Sequence, residues 1–244
     1  MSERVALVTG AAGGFGRALT EVLTGRGVRV VACDLDEEAG NELAEATGAV
    51  FVACDVSELE QNEAAVAVAV AEYGGLDMAF LNAGVAFGTQ LGDDFDPAAY
   101  RRAMAVNIDG VVFGVNAVLP AMKDRGGGAI VATASLAGLT PVPMDPVYAA
   151  NKHAVVGLVR SLGPVLAADG IRINAVCPGF AETAIIGPIR ELLLSEGLPI
   201  IPVQDVIETV LRIFDGEMSG ECWFVQAGRE SQPFGFRGIP GPRS

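Results

Sequence analysis

The sequence is poor in basic side chains, aromatics and cysteine. It has 16 lysines and arginines against 30 acids, one histidine, one tryptophan and four cysteines in 244 residues. The acidic balance, net -14, leaves no basic stripe of the kind that nucleic-acid binding requires, and it disfavours anionic membranes as partners. A single histidine, His153, excludes a histidine-rich metal site. It leaves one possible Ser-His-Asp triad, but no G-x-S-x-G elbow accompanies it. Cys33, Cys54, Cys177 and Cys222 share no metal-finger or redox spacing; each sits in an apolar run and reads as a free buried thiol of a reducing compartment. No metal is expected. Long hydrophobic runs are also missing. The longest, Ala64–Ala71, falls well short of the ~20 residues of a spanning helix, and Met1-Ser2-Glu3-Arg4 leads into a strand-like run without signal-peptide features. A cytoplasmic location is the expectation.

What is present is apolar and regularly punctuated: 51% of residues are hydrophobic and only 19% charged. Short continuous apolar runs at Val5–Thr9, Val28–Asp34, Val50–Asp55, Met78–Asn82, Ala129–Ser135, Ile171–Cys177 and Cys222–Gln226 alternate with helical stretches. These stretches are Gly16–Gly25, Glu37–Thr47, Leu59–Tyr73, Pro97–Met122 (with a break near Asn107–Gly110) and Pro146–Ala168. Apolar runs that do not alternate mark strands covered on both faces. Repeated β-α-β units then predict an α/β fold: one doubly wound Rossmann-type domain over 1–244, with a seven-stranded parallel sheet and helices on both faces. Ala64–Ala71 alternates like a strand, but its alanine content and its place between two strands favour helix.

Thr9-Gly10-Ala11-Ala12-Gly13-Gly14-Phe15-Gly16 follows the first strand and opens the first helix. Such a turn offers backbone N–H groups and a helix N-terminus to a pyrophosphate. Asp34 ends the second strand, where a carboxylate accepts hydrogen bonds from adenosine ribose hydroxyls and repels a 2′-phosphate. Neither Gly13 nor Leu35 is a cation that could neutralise that phosphate. NAD is therefore expected rather than NADP. Arg17 lies one residue into the helix and reads as a surface side chain. Tyr148 and Lys152 lie four apart on one helix face, behind an Asp145-Pro146 helix start. An ammonium beside a phenol stabilises the phenolate and makes the tyrosine a plausible general acid/base.

Taken in order, these motifs resemble the short-chain dehydrogenase/reductase family, in its compact single-domain branch. The resemblance runs from Val5 to about Thr183, and more loosely to Gln226. It implies the following roles. Gly10, Gly14, Phe15 and Gly16 form the cofactor turn, with Asp34 and Leu35 at the adenosine ribose. Asp55 and Val56 contact adenine, and Asn82-Ala83-Gly84 matches the family's N-A-G motif, with Leu81 in place of its usual preceding asparagine. Ser135, Tyr148 and Lys152 match the catalytic serine, tyrosine and lysine. Asn107 falls where the family keeps an asparagine that breaks its helix and anchors a water toward the lysine. Pro178-Gly179 and Thr183 match positions near the nicotinamide or pyrophosphate, which Tyr148 and Lys152 also contact. The implied activity is NAD-dependent interconversion of a secondary alcohol and a ketone, in a homotetramer or homodimer. A 3-oxoacyl-carrier reductase using NADP and a non-catalytic cofactor-binding sensor remain as alternatives.

Residues 184–203 match the segment that folds over the substrate. They hold nine isoleucines and leucines before Val203, and the charges Arg190, Glu191 and Glu196. Either the lid covers a hydrophobic substrate or it needs only an apolar underside. Leu136, Leu139, Val142, Pro143 and Met144 would line the facing wall. Arg190 is the sole cation placed to hold a substrate anion, so an apolar alcohol or ketone is favoured over a sugar or hydroxy acid. Gly163-Pro164 should kink its helix, and Val155, Val156, Leu158, Val159 and Leu162 cover more than one face, against either a partner or one subunit's own core. Residues 229–244, rich in Gly, Pro and Arg, read as an irregular arm that either frays or docks through Phe234 and Phe236.

Overall fold

The computed structural model describes residues 4–86 and 91–238. Eight strands form one sheet, β1 (Val5–Thr9), β2 (Arg29–Asp34), β3 (Val50–Ala53), β4 (Met78–Leu81), β5 (Gly128–Thr133), β6 (Ile171–Pro178), β7 (Cys222–Val225) and β8 (Gln232–Pro233). Their order is β3-β2-β1-β4-β5-β6-β7-β8. The first seven are parallel, as expected. The eighth is antiparallel to β7 and departs from the seven-stranded expectation. A two-residue strand containing proline carries no periodicity of its own and can only sit at an edge; it exists because Trp223 and Phe224 offer it a partner.

Helices α1 (Gly14–Gly25), α2 (Glu37–Thr47), α3 (Leu59–Tyr73), α4 (Pro97–Met104), α5 (Gly110–Arg125), α6 (Pro146–Leu166), α7 (Arg190–Ser195) and α8 (Val203–Asp215) complete the fold. Two apolar clusters lie on opposite faces of the sheet. One gathers Leu7, Val31, Leu81, Val118, Met122, Ile130 and Val159. The other gathers Val8, Leu19, Val30, Phe80, Val131, Ile207 and Phe214. Alternate residues of one strand, such as Leu7 and Val8, go to opposite clusters, which is why the strands read as unbroken apolar runs.

The Ala-rich stretch is helix α3. Helix α8 is absent from the sequence reading, yet it buries Val206, Ile207, Val210, Ile213 and Phe214. The expected break in the long helix is instead a π turn at Ala105–Asp109, through which the helical path continues. By length and hydropathy Pro97–Arg125 could cross a membrane, but it buries Val111, Val115, Val118 and Met122 in the core. Proline 164 does not end α6, which runs to Leu166. Its neighbour Gly163 packs against Gly220, where an added Cβ would come within 2.6 Å of backbone. Val155, Val156 and Val159 are buried, and Leu158 and Leu162 pack half-buried against the same cluster. The arm is ordered in part: Phe234 N–H donates to the Cys222 carbonyl at 2.8 Å, and Phe236 packs on the core beneath Arg160. Residues 239–244 of the arm lie outside the described ones, as do Met1–Glu3.

Candidate active site

In a doubly wound sheet the crevice opens at the carboxyl ends of the strands, where the chain order reverses. Here the reversal falls between β1 and β4, so the glycine turn after β1 and Asn82-Ala83-Gly84 after β4 face each other. Gly10 has φ +63°, and a side chain on it would meet the Ala83 Cα at 2.9 Å. Gly16 admits no substitute either: its Cβ would sit 2.0 Å from the Gly10 carbonyl oxygen. Thr9 Oγ1 accepts the N–H groups of Asn82 (2.9 Å) and Ala83 (3.2 Å), and Asn82 Nδ2 donates to the Thr9 carbonyl at 3.1 Å. Phe15 packs on the core beneath the turn.

Asp34 closes β2 with one carboxylate oxygen accepting the Ala12 N–H at 2.8 Å. Leu35 beside it is 65% exposed. After β3, Asp55 Oδ1 accepts the N–H and hydroxyl of Ser57 at 2.9 and 2.6 Å. Val56 is buried, with its side chain against Gly110.

Ser135 lies just past the end of β5. Its Oγ donates to the Pro178 carbonyl at 3.3 Å and accepts the Ala137 N–H at 3.1 Å. Asp145 caps α6 by accepting the Tyr148 N–H at 2.9 Å, which sets Tyr148 in the first turn of the helix. Burial pushes the Tyr148 pKa up, the Ser135 hydrogen bond opposes that rise, and the Asp145 charge adds to it. Desolvation, more than the ammonium, therefore sets the phenol. Lys152 Nζ stands 5.6 Å from the Tyr148 ring centroid and donates to the Thr133 carbonyl at 2.9 Å. Burial lowers its pKa to about 8.

Asn107 occupies the π turn and is fully buried. Its amide is paired on both sides with one residue: Nδ2 donates to the Val85 carbonyl and Oδ1 accepts the Val85 N–H, both at 2.9 Å. A Cβ on Gly84 would lie 3.2 Å from Asn107 Oδ1 and 3.6 Å from Lys152 Nζ, so these side chains converge on one glycine. On the far rim, Gly179 N–H donates to the Val225 carbonyl at 2.9 Å, and Thr183 lies against Gly14, within 3.3 Å of where its Cβ would be.

The structure thus brings the serine, tyrosine, lysine and asparagine to one end of the sheet with the glycine turn. His153 stays apart, its Nδ1 paired with the Ala149 carbonyl at 2.9 Å, and forms no triad. Thr133, which accepts the Lys152 ammonium at its carbonyl, is a residue that sequence reasoning passed over, since nothing in the sequence marks it; Thr9 opens the glycine motif, but its hydroxyl's role in holding Asn82 and Ala83 was not legible there. Arg190, the one cation expected to hold a substrate anion, is already paired, with Glu182 at 2.8 Å and Glu191 at 3.4 Å.

Residues 4–193 match the family described as short chain dehydrogenase. Cyclohexanol dehydrogenase of Acinetobacter sp. (strain SE19) is 36% identical over 204 residues, covering 82% of this chain and 81% of that protein. The 15-hydroxyprostaglandin dehydrogenase [NAD(+)] of Homo sapiens is 37% identical over 200 residues, 77% of this chain and 72% of that protein. Among solved structures, a 3-ketoacyl-(acyl-carrier-protein) reductase from Brucella melitensis complexed with NADH superposes with a TM-score of 0.85 at 27% identity, over 93% of this chain and 98% of that one. With the motif residues gathered at the carboxyl edge of a parallel sheet, these matches establish that the chain belongs to the short-chain dehydrogenase family of oxidoreductases.

Proposed function

We propose that this chain interconverts an apolar secondary alcohol and its ketone with NAD as cofactor. The observation that carries the reading is the convergence of Ser135, Tyr148 and Lys152 at the carboxyl end of β5: a hydroxyl just past the strand, a phenol in the first turn of α6, and a buried ammonium 5.6 Å from the phenol ring.

The residues fit a dinucleotide. The turn from Gly10 to Gly14 presents backbone rather than side chains, and a Cβ at Gly13 would meet nothing within 4 Å. Gly10, Gly14, Phe15 and Gly16 would hold the pyrophosphate, Asp34 the adenosine ribose, and Leu35, Asp55 and Val56 the adenine surroundings. Asn82, Ala83, Gly84, Pro178, Gly179 and Thr183 would border the nicotinamide half. Asp34 supports NAD over NADP, because its charge would face a 2′-phosphate. The bound nicotinamide supplies or takes up the hydride.

The rest of the chemistry belongs to this chain. Ser135 Oγ donates a hydrogen bond to the substrate oxygen and stabilises the charge that develops there. Tyr148 Oη gives its proton to that oxygen as the ketone is reduced and removes it as the alcohol is oxidised. Lys152, protonated below about pH 8, favours the phenolate and orients the nicotinamide ribose. Asn107 holds the loop at Val85 and keeps the lysine's surroundings polar.

The lid, residues 184–203, supports an apolar and uncharged substrate. Ile185, Leu192, Leu194 and Leu198 are exposed, as is Met144 on the facing wall, while Arg190 is neutralised by its glutamates. Assembly into a homodimer or homotetramer belongs to the same reading; Val165, exposed on the outer face of α6, supports it.

The test is NADH oxidation over ketones graded from polar to bulky and apolar, with Tyr148→Phe beside the unaltered chain. Turnover rising with apolar bulk and falling roughly a hundred- to ten-thousand-fold in the variant is expected. Equal turnover in both proteins would remove Tyr148 as the general acid, and a preference for anionic substrates would overturn the lid reading.

A further inference from the structure

Arg17 is not the free surface residue that its helical position suggests. It is half-buried, with Nε donating to the Ala12 carbonyl at 3.0 Å and Nη2 to the Ala39 carbonyl at 3.1 Å. The N–H of Ala12 goes to Asp34 Oδ2 at 2.8 Å. The other oxygen of Asp34 accepts the Asp36 N–H at 3.1 Å, and Asp36 Oδ1 caps α2 by accepting the Ala39 N–H at 3.0 Å. Followed round, the bonds close on themselves: Arg17, Ala12, Asp34, Asp36, Ala39 and back to Arg17. The circuit joins the glycine turn, the end of β2 and the first turn of α2, three walls around one carboxylate.

Arg17 is the only cation in this ring, which holds Asp34 and Asp36 and is flanked by Glu37 and Glu38. Two physical consequences follow. The Ala12 carbonyl sits in a turn that offers N–H groups to an anion, where its own negative end would repel the ligand; the guanidinium covers that end. Ala12 is also held at both sides, by Arg17 at its carbonyl and by Asp34 at its N–H, so the carboxylate cannot turn without breaking the circuit. A planar fork can serve two carbonyls at a fixed angle, whereas a lysine ammonium is a single mobile point.

We propose that Arg17 is a positioning residue for the adenosine end of the cofactor, fixing Ala12 and through it the orientation in which Asp34 selects NAD over NADP. The proposal rests on the dinucleotide reading above. Pre-ordering of this kind lowers the cost of binding rather than adding a contact, so it acts on affinity and selectivity, not on the chemical step.

The experiment is calorimetric titration of the full chain and of Arg17→Met and Arg17→Lys with NADH, NADPH and nicotinamide mononucleotide, alongside thermal melts and steady-state rates. Both variants should bind NADH roughly tenfold more weakly, the loss of about one charge-assisted hydrogen bond. NADPH should lose less, so that the NADH:NADPH affinity ratio narrows. Binding of the mononucleotide should be unchanged, and kcat at saturating NADH should stay within about twofold as KM rises. Three results would overturn the clamp: full affinity in Arg17→Met, full affinity restored by lysine, or equal loss for NADH and NADPH in step with the melting temperature. An unaltered chain that binds neither dinucleotide would overturn the clamp and the cofactor reading together, and one that prefers NADPH would overturn the NAD selectivity on which the clamp depends.

Discussion

Lys152 and Thr133 are joined by a 2.9 Å hydrogen bond from the ammonium to the backbone carbonyl, and the Thr133 hydroxyl continues to Asn82 Oδ1 at 3.1 Å. Two bonds in series therefore couple α6 to the carboxyl ends of β5 and β4. The first of them also holds a charge where only 4% of Lys152 reaches solvent. The Lys152 ammonium is held by a backbone carbonyl and disfavoured by its burial, and that conflict has a measurable consequence.

Burial brings the Lys152 pKa down from 10.5 to about 8. Below pH 8 the folded chain carries the full cost of a buried ammonium. Between about 8 and 10.5 the folded chain releases this proton before the unfolded one does, so the unfolded state binds more protons and stability rises with pH. Lys152→Met removes the cost. The variant should lose turnover yet melt higher than the unaltered chain at pH 7, with the advantage fading by pH 10–11. The gain is at most about 3 kcal/mol and is reduced by the lost Thr133 bond. Melts at both pH values decide it, and a lower melting temperature at pH 7 would show that the Thr133 bond outweighs desolvation.

Asp34→Ser keeps a short hydrogen-bonding side chain at the end of β2 and removes its charge. NADH affinity should fall roughly tenfold while NADPH affinity rises. Direct titration with both cofactors measures the switch, and unaltered selectivity would mean that another group rejects the 2′-phosphate.

Two glycines of the same turn should respond in opposite ways. Gly16→Ala would place a methyl 2.0 Å from the Gly10 carbonyl oxygen, a backbone atom that cannot step aside. A loss of at least about 3 kcal/mol is expected in denaturant melts. At Gly13, φ is -149° and an added Cβ meets nothing. Gly13→Ala should therefore fold with an unchanged melting temperature, and a drop equal to that of Gly16→Ala would contradict the packing described for this turn.

Phe236 carries the arm. Its ring lies 3.7 Å beneath the Arg160 guanidinium and 5.0 Å from Phe234 in a T-shaped pair. Phe236→Ala should cost about 1–2 kcal/mol of stability. Cofactor affinity should hold, since the contact lies on α6 two turns past Lys152, away from the glycine turn.

The parallel strands were legible because the central ones are covered on both faces and read as apolar runs, β6 keeping its pattern around Arg172 and Asn174. Much of the candidate site was legible because the glycine turn, Asp34, Asn82 and Ser135 stand at or just past strand ends, while Tyr148 and Lys152 follow an Asp-Pro helix start. Other features are invisible for physical reasons. Helix α8 has a buried stripe, but it starts from Pro202 without a side-chain cap and follows directly on the apolar lid, so no change in pattern marks its beginning. Strand β8 exists only through its pairing with Trp223 and Phe224. The carbonyl bound by Arg17 on α2 is 22 residues away, and backbone acceptors leave no trace in a sequence. The phenol's upward shift depends on how deeply α6 packs, which spacing alone does not encode.

The π turn at Ala105–Asp109 means that this stretch has one more residue than two stacked α-helices would use. The surplus is a bulge that leaves the two flanks in step. Removing one residue from it would let the turn relax to α-geometry with Val111, Val115, Val118 and Met122 still facing the core. What would be lost is the wide turn that presents the Asn107 amide to Val85. The extra residue is thus spare for the helix and spent on the loop beside it, and a one-residue deletion there should fold yet lose the Asn107–Val85 pair.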